Sequence, residues 1–470
     1  GDRVAHTPAL DRLAAGGVRF SSAYCPFPLC GPSRMSFMTC RHPHENALWT
    51  NEEELPSAIP TFAHAFLAGG YDTVLSGRMH FVGWDQRHGF AERLLGDVPP
   101  SAYLADGWKL DAVLGDLKDT PGMRLAGILK SGPGRTGYHA YDEEVTRASA
   151  EWLRKRGRAA GAAPFLLTVG YASPHCPFVA PPEDFERHAR LIGEADLPLP
   201  DERLHPVQAE RRRRFQLDPP PPRDAQWRAR VAYYGLCAFL DRQLAALLAA
   251  LEESGLAEDT LVVYTSDHGE MLGEHGLWWK STFYDGACRV PMVVSYPRAF
   301  KGGGLVEKNV SLMDLGVSLL DLCGADPLPG ASGRSFLPLL RGGGGEWDDT
   351  VFAEFASPGE TSCSRMIRSG PWKYAYHHGE RGELFNLRDD PGETRDLAQA
   401  ASHEGVCRVL REGVLRGWDP ERVLASMARC PAERQLVASW VRKARPPEPD
   451  PAWFKVPPEN RVDATRRPPR

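Results

Sequence analysis

Apolar runs and amphipathic stretches alternate along the first two-thirds of the chain. Residues 164–171 (PFLLTVGY) and 260–266 (TLVVYTS) predict buried strands, and residues 290–296 another. Residues 71–76 predict a further strand after the Gly69-Gly70 break. Residues 61–67, 140–155, 231–256 and 311–323 carry helical spacing. Apolar strands separated by helices imply an α/β fold, a large mostly parallel sheet with helices on both faces. In open sheets of this kind, sites form beyond the carboxyl ends of the strands. Three polar clusters fall at such ends: Gly77-Arg78-Met79-His80, Ser173-Pro174-His175 and Asp267-His268-Gly269.

The pattern changes after the glycine run at 342–345, which marks a boundary. Residues 1–345 are expected to form the main domain. Short strands at 350–354, 364–367 and 372–376 predict a small C-terminal α+β domain over 346–400. Residues 401–470 are expected to form an extension. It is helical over 403–443 and then Pro-rich and charged, an irregular tail or an arm over a neighbouring copy. The segment 204–223, with Arg211 to Arg214 and Pro219 to Pro222, reads as a surface excursion.

A chain of 470 residues can bury a sizeable core. Its 56 basic and 61 acidic residues leave a net charge of −5. That balance offers no global attraction to nucleic acid or an anionic membrane, so an anion site must be built locally. No uninterrupted apolar stretch reads as a bilayer span. Residues 1–4 show no signal-peptide pattern, although the chain does not begin with Met. The ten cysteines are scattered without a Cys-x-x-Cys pair, against a zinc ribbon or thioredoxin-type site. Most are expected to be small buried hydrophobes, in a cytoplasmic, reducing setting.

Cys30 stands apart. It lies in Cys30-Gly31-Pro32-Ser33-Arg34, ahead of Met35-Ser36-Phe37-Met38. Pro32 and Ser33 suit a helix start, where free N–H groups attract anions and acidify a thiol, and Arg34 adds to that. The run resembles the sulfatase signature, Cys-x-Pro-Ser-Arg. So do Thr7-Pro8-Ala9-Leu10-Asp11-Arg12-Leu13-Ala14 upstream and Leu384-Phe385-Asn386-Leu387 downstream. Ser76 to Gly83 (SGRMHFVG) and Thr265 to Glu274 (TSDHGEMLGE), with Trp278-Trp279-Lys280, are similar to the choline-sulfatase branch.

The resemblance implies an alkaline-phosphatase-like fold and hydrolysis of a sulfate ester to alcohol and sulfate. In the family this cysteine is oxidised to formylglycine, whose hydrated aldehyde attacks sulfur through one hydroxyl and expels sulfate through the other. Carried over, Cys30 is the nucleophile's precursor and Arg34 holds the diol. Asp267 and His268 are ligands of one divalent metal, with Ca²⁺ first and Mn²⁺ or Zn²⁺ as alternatives. Lys280, His175 and His80 contact sulfate, His80 alternatively holding the diol, and His175 near the leaving oxygen is the candidate general acid. Arg78 stands where the family usually has Lys, a rigid fork in place of a compact charge. The implied partners are a small sulfate ester and a formylglycine-generating or other sulfatase-maturing enzyme, and a homo-oligomer is compatible with them.

Sulfatases also begin with a buried strand ending in an Asp-Asp pair, a further share of the metal shell. Neither Asp2 nor Asp11 matches it. A central strand is therefore expected to be absent from the sheet. The sequence stands either as a piece of a longer chain or as a metal-weak relative. Two other readings compete: a phosphonate monoester or phosphodiester hydrolase of the same superfamily, and a non-catalytic homologue. Trp49, Trp84, Tyr103 and Trp108 are available aromatics for a choline-like ammonium.

Overall fold

The computed structural model describes residues 2–83, 85–97, 123–159, 161–198, 204–300, 302–343, 346–356 and 362–444. Strands β1 (Val18–Tyr24), β2 (Asp72–Gly77), β3 (Glu92–Leu95), β4 (Gly132–Pro133), β5 (Phe165–Gly170), β6 (Val179–Ala180) and β7 (Val262–Thr265) are followed by β8 (Arg289–Ser295), β9 (Gly304–Val306) and β10 (Val310–Ser311). Strands β11 (Thr350–Ala356), β12 (Cys363–Ser369), β13 (Trp372–His377) and β14 (Glu383–Asn386) form an antiparallel meander.

The predicted central sheet falls into two pieces among the described residues. One is parallel, in the order β3-β2-β5; the other is mixed, β10-β1-β8-β7 with β9 beside β1. Because β1 and β7 both run antiparallel to β8, they point the same way and end on the same side. Strands β5 and β7 were expected to be buried, yet every residue of both is half-buried. The physical reason is that each pairs on one side only among the described residues. Leu167 of β5 and Val262 of β7 pack on one apolar cluster with Ala150, Leu153, Ala250 and Leu251.

The helices match the apolar spacing. Phe62–Ala68 follows the Thr61 N-cap, and Gly137–Gly157 and Leu312–Cys323 cover the predicted segments. The helix Arg223–Glu253 is long and apolar enough to cross a bilayer, contrary to the sequence expectation, but half of that window is buried inside the protein. It contributes Ala229, Val231, Ala232 and Leu236 to a core cluster with Phe178 and Trp278.

The segment 204–223 is less irregular than expected. It holds the helix Pro206–Arg214, whose Arg211 is buried with its guanidinium 4.6 Å above the Phe355 ring. The helical extension divides into Glu404–Leu415 and Pro420–Ala444, separated near Gly417, which sits at φ +71°. The tail beyond 444 lies outside the described residues.

Candidate active site

Cys30 opens the ten-residue helix Cys30–Thr39. The helix starts two residues earlier than Pro32 and Ser33 suggested. Leu29 is extended, and Ser33 N–H donates to its carbonyl. Pro32 is tolerated in this first turn because its missing N–H would have no helical partner. Cys30 itself therefore sits at the positive end of the helix.

Side chains from three strand ends converge on it. After β7, His268 Nε2 lies 3.2 Å from Cys30 Sγ, and Arg34 Nε donates to Asp267 Oδ2 at 2.8 Å. Ser33 Oγ donates to the Asp267 carbonyl at 2.6 Å. After β2, the Arg78 carbonyl accepts from Arg34 Nη1 at 2.7 Å, and the Arg78 guanidinium lies 3.4 Å from His80 Nδ1. After β5, His175 Nε2 accepts from Lys280 Nζ at 3.1 Å. The seven other sequence-predicted site residues thus gather around the Cys30 thiol.

The charges follow from this packing. Burial opposes ionisation of Cys30, but Lys280 and His268 outweigh it and hold the thiol well below its ordinary range. Burial also disfavours the Asp267 carboxylate, yet Arg34 and His268 hold it at about 2. His175 is pushed down to about 4 by burial and by the Lys280 charge. His80 is likewise held at about 4 by burial and Arg78.

The expectation for His175 is thereby sharpened. His175 Nδ1 donates to the Cys176 carbonyl at 2.6 Å, so Nε2 is the acceptor and the ring is neutral at rest. In this hydrogen bond Lys280 Nζ is the donor.

The Lys280 turn is strained on both sides. Trp279 and Ser281 have φ values of +66° and +73°, conformations that cost about 1–3 kcal/mol each for residues other than glycine. Glu270 takes the N–H groups of Leu272 and Trp279, and Ser281 N–H donates to the Pro28 carbonyl beside Cys30.

Sequence reasoning missed the residues that act through backbone. Asn51 accepts from Gly31 N–H at 2.8 Å, and its carbonyl lies 3.2 Å from His80 Nε2. Asp142 accepts from Ala172 and Ser173 N–H, which fixes the His175 turn. Burial raises its carboxyl to about 6. An isolated Asn or Asp in a loop or helix carries no motif, so no sequence signal marked either one.

Glycine decides how closely β2 and β5 approach at the site. A Cβ at Gly170 would stand 1.9 Å from the Arg78 carbonyl oxygen, and one at Gly77, where φ is +88°, 2.2 Å from the Gly170 carbonyl oxygen. Gly170→Ala is expected to cost about 1–3 kcal/mol by overpacking and to shift the Arg78 turn. A denaturant midpoint unchanged from wild type would refute this.

Asp267 and His268 fit a divalent metal in part. The donor atoms of Cys30, Asp267 and His268 all lie within 4.8 Å of one another. His268 Nδ1 donates to the Gly269 carbonyl, so that Nε2, which faces Cys30 Sγ, would be the ligand atom once it has lost its proton. Ca²⁺ takes roughly six to eight oxygens, and this cluster brings one carboxylate. A second group, His205, His377 and Glu383, is buried at the contact with the β11–β14 meander. There His205 Nδ1 accepts from Val207 N–H, so Nε2 carries the proton and donates to the Arg381 carbonyl. That hydrogen bonding occupies both nitrogens and makes the group a structural contact.

Among the aromatics, Trp49 is buried with its indole N–H on Ser426 Oγ; Trp84, Tyr103 and Trp108 lie outside the described residues. All ten cysteines are unpaired.

Known proteins carry the same pattern. The Sulfatase family model matches residues 1–325, and the model described as N-sulphoglucosamine sulphohydrolase, C-terminal, matches residues 273–417. The choline-sulfatase of Rhizobium meliloti (strain 1021) is 32% identical over 458 residues, covering 93% of this chain and 87% of the relative. Mouse (Mus musculus) arylsulfatase K is 27% identical, covering 85% of this chain and 72% of its own length. Among solved structures, the phosphonate monoester hydrolase of Agrobacterium radiobacter aligns with a TM-score of 0.71 at 25% identity, covering 88% of this chain and 91% of that one. By these matches the chain belongs to the sulfatase family, enzymes that hydrolyse sulfate esters.

Proposed function

We propose that this sulfatase cleaves a small alkyl or aryl sulfate at Cys30 after that residue has been converted to formylglycine, with choline sulfate the first ester to assay. The observation that carries the reading is the meeting of Lys280, His175, His268, Arg34 and Arg78 around Cys30 in a buried site. A sulfate ester is an anion whose charge shifts towards the leaving oxygen as the bond breaks, and fixed positive groups there stabilise that change. Formylglycine at position 30 would supply a hydrated aldehyde as nucleophile, and a divalent cation held by Asp267 and His268 would supply Lewis acidity. Arg34 orients Asp267 and keeps its carboxylate ionised. Lys280 and His175 together hold the proton that the departing alkoxide takes up.

The rival within the superfamily is a phosphonate or phosphate ester hydrolase, favoured by the likeness to the phosphonate monoester hydrolase fold. Parallel assays on 4-nitrophenyl sulfate and on bis-4-nitrophenyl phosphate decide between them. The sulfate ester is expected to show the higher kcat/KM, and faster turnover of the phosphodiester would overturn the sulfate preference. The mass of the proteolytic peptide spanning Cys30, from protein made in its native host, is expected to be lower than that of the plain thiol.

A further inference from the structure

We propose that Asp97 is a positioning residue for this reaction: its buried carboxylate fixes the left-handed backbone at His80 and thereby holds the Arg78 and His80 side chains in the Cys30 site. The proposal rests on the sulfatase reading and extends it to a residue outside the family signature.

Asp97 lies just beyond β3 and is 4% exposed. Its Oδ1 accepts from Met79 N–H at 2.7 Å and from His80 N–H at 3.1 Å, and its Oδ2 accepts from Phe81 N–H at 3.2 Å. Arg93 Nη2 completes the set at 3.0 Å from Oδ2. Three successive N–H groups can face one anion when the chain between them turns through right- and left-handed conformations, the arrangement of a backbone nest. His80 supplies that turn, with φ at +64°. A histidine held there costs about 1–3 kcal/mol, and charge-assisted hydrogen bonds to an ionised carboxylate offset the cost. Burial works against ionisation of Asp97, but Arg93 and the His80 N–H keep its pKa below the usual carboxylate value.

The turn is fixed from its other side as well. Arg78 N–H donates to the Gly170 carbonyl at 2.8 Å, and the Arg78 carbonyl accepts from Arg34. Residue 78 is thus anchored to β5 and to the Cys30 helix, while residues 79–81 are anchored to Asp97. Arg78 and His80 both feel the charge at Cys30. The partners of Asp97 are backbone N–H groups and Arg93, so it acts on the chemistry through the turn.

The test compares full-length wild type with Asp97→Asn, His80→Asn and the double variant, using 4-nitrophenyl sulfate. An amide keeps the shape of Asp97, but its NH2 cannot accept from Phe81 N–H or from Arg93. In the His80 background, Asp97→Asn is expected to lower kcat by about 10- to 100-fold, the scale of a misplaced catalytic group, with KM within about 3-fold. In the His80→Asn background the further loss shrinks to about 3-fold or less, because residues that act as a unit are non-additive. Equal losses in both backgrounds would mean a general structural role and would overturn the proposal, as would a folded Asp97→Asn with wild-type kcat.

If Asp97→Asn does not fold, Arg93→Gln replaces it. A smaller loss of about 3- to 10-fold is then expected, again confined to the His80 background, and no loss overturns the proposal. Calorimetric binding of inorganic phosphate gives a readout independent of turnover. Asp97→Asn is expected to weaken it only when His80 is present, and equal weakening in both backgrounds counts against Asp97. A wild type that binds phosphate but leaves sulfate esters intact would sink the sulfatase reading while this comparison still decides the role of Asp97.

Discussion

Cys30→Ala is expected to lower turnover of a sulfate ester by about 10⁴-fold or more, the scale of removing a nucleophile. The methyl group leaves the surrounding charges in place. Arg34 still holds Asp267, and Lys280 still meets His175. The variant should therefore bind inorganic phosphate nearly as wild type does while failing to turn over. Cys30→Ser is the sharper probe. Its hydroxyl can attack once but lacks the second hydroxyl that makes release easy. One equivalent of alcohol followed by arrest is the expected time course, and steady turnover within tenfold of wild type would refute a formylglycine nucleophile at this position.

The second large effect is tied to the leaving group. Lys280→Ala and His175→Ala are each expected to lower kcat/KM for an alkyl sulfate by about 10³-fold, within the range for a removed acid–base group. For 4-nitrophenyl sulfate, whose leaving phenolate needs no proton at neutral pH, the loss should fall to about tenfold. The contrast follows from the resting hydrogen bond, in which Lys280 carries the proton and neutral His175 accepts it. A series of aryl sulfates would show a steeper dependence on leaving-group acidity in both variants. Equal losses for the alkyl and nitrophenyl esters would assign the pair to sulfate binding alone.

Much of this site was legible because its side chains occur in short contiguous runs at strand ends. Arg78 and His80, His175, and Asp267 and His268 each follow a strand whose apolar spacing could be read. What was hidden works through backbone or through pairing. Asp97, Asp142 and Asn51 grip N–H groups of segments distant in sequence, so no local spacing betrays them. The half-burial of β5 and β7 could not be read from their apolar composition, because it depends on which strands lie beside them. The start of the Cys30 helix was displaced by two residues because the extended Leu29, rather than Pro32, sets its first hydrogen bond. Arg211 looked like part of a solvated charge run, and its burial over Phe355 is a long-range contact.

The burial of the Cys30 helix bears on the order of events in biogenesis. Cys30 is 2% exposed and Ser33 fully buried, and the segment is wound into a helix behind the Ser281 and Asn51 contacts. An enzyme that oxidised this thiol would have to reach it before the helix closes against Ser281 and Asn51. On that route, molecules that folded first would keep the plain cysteine, and the active fraction would record a race between folding and modification.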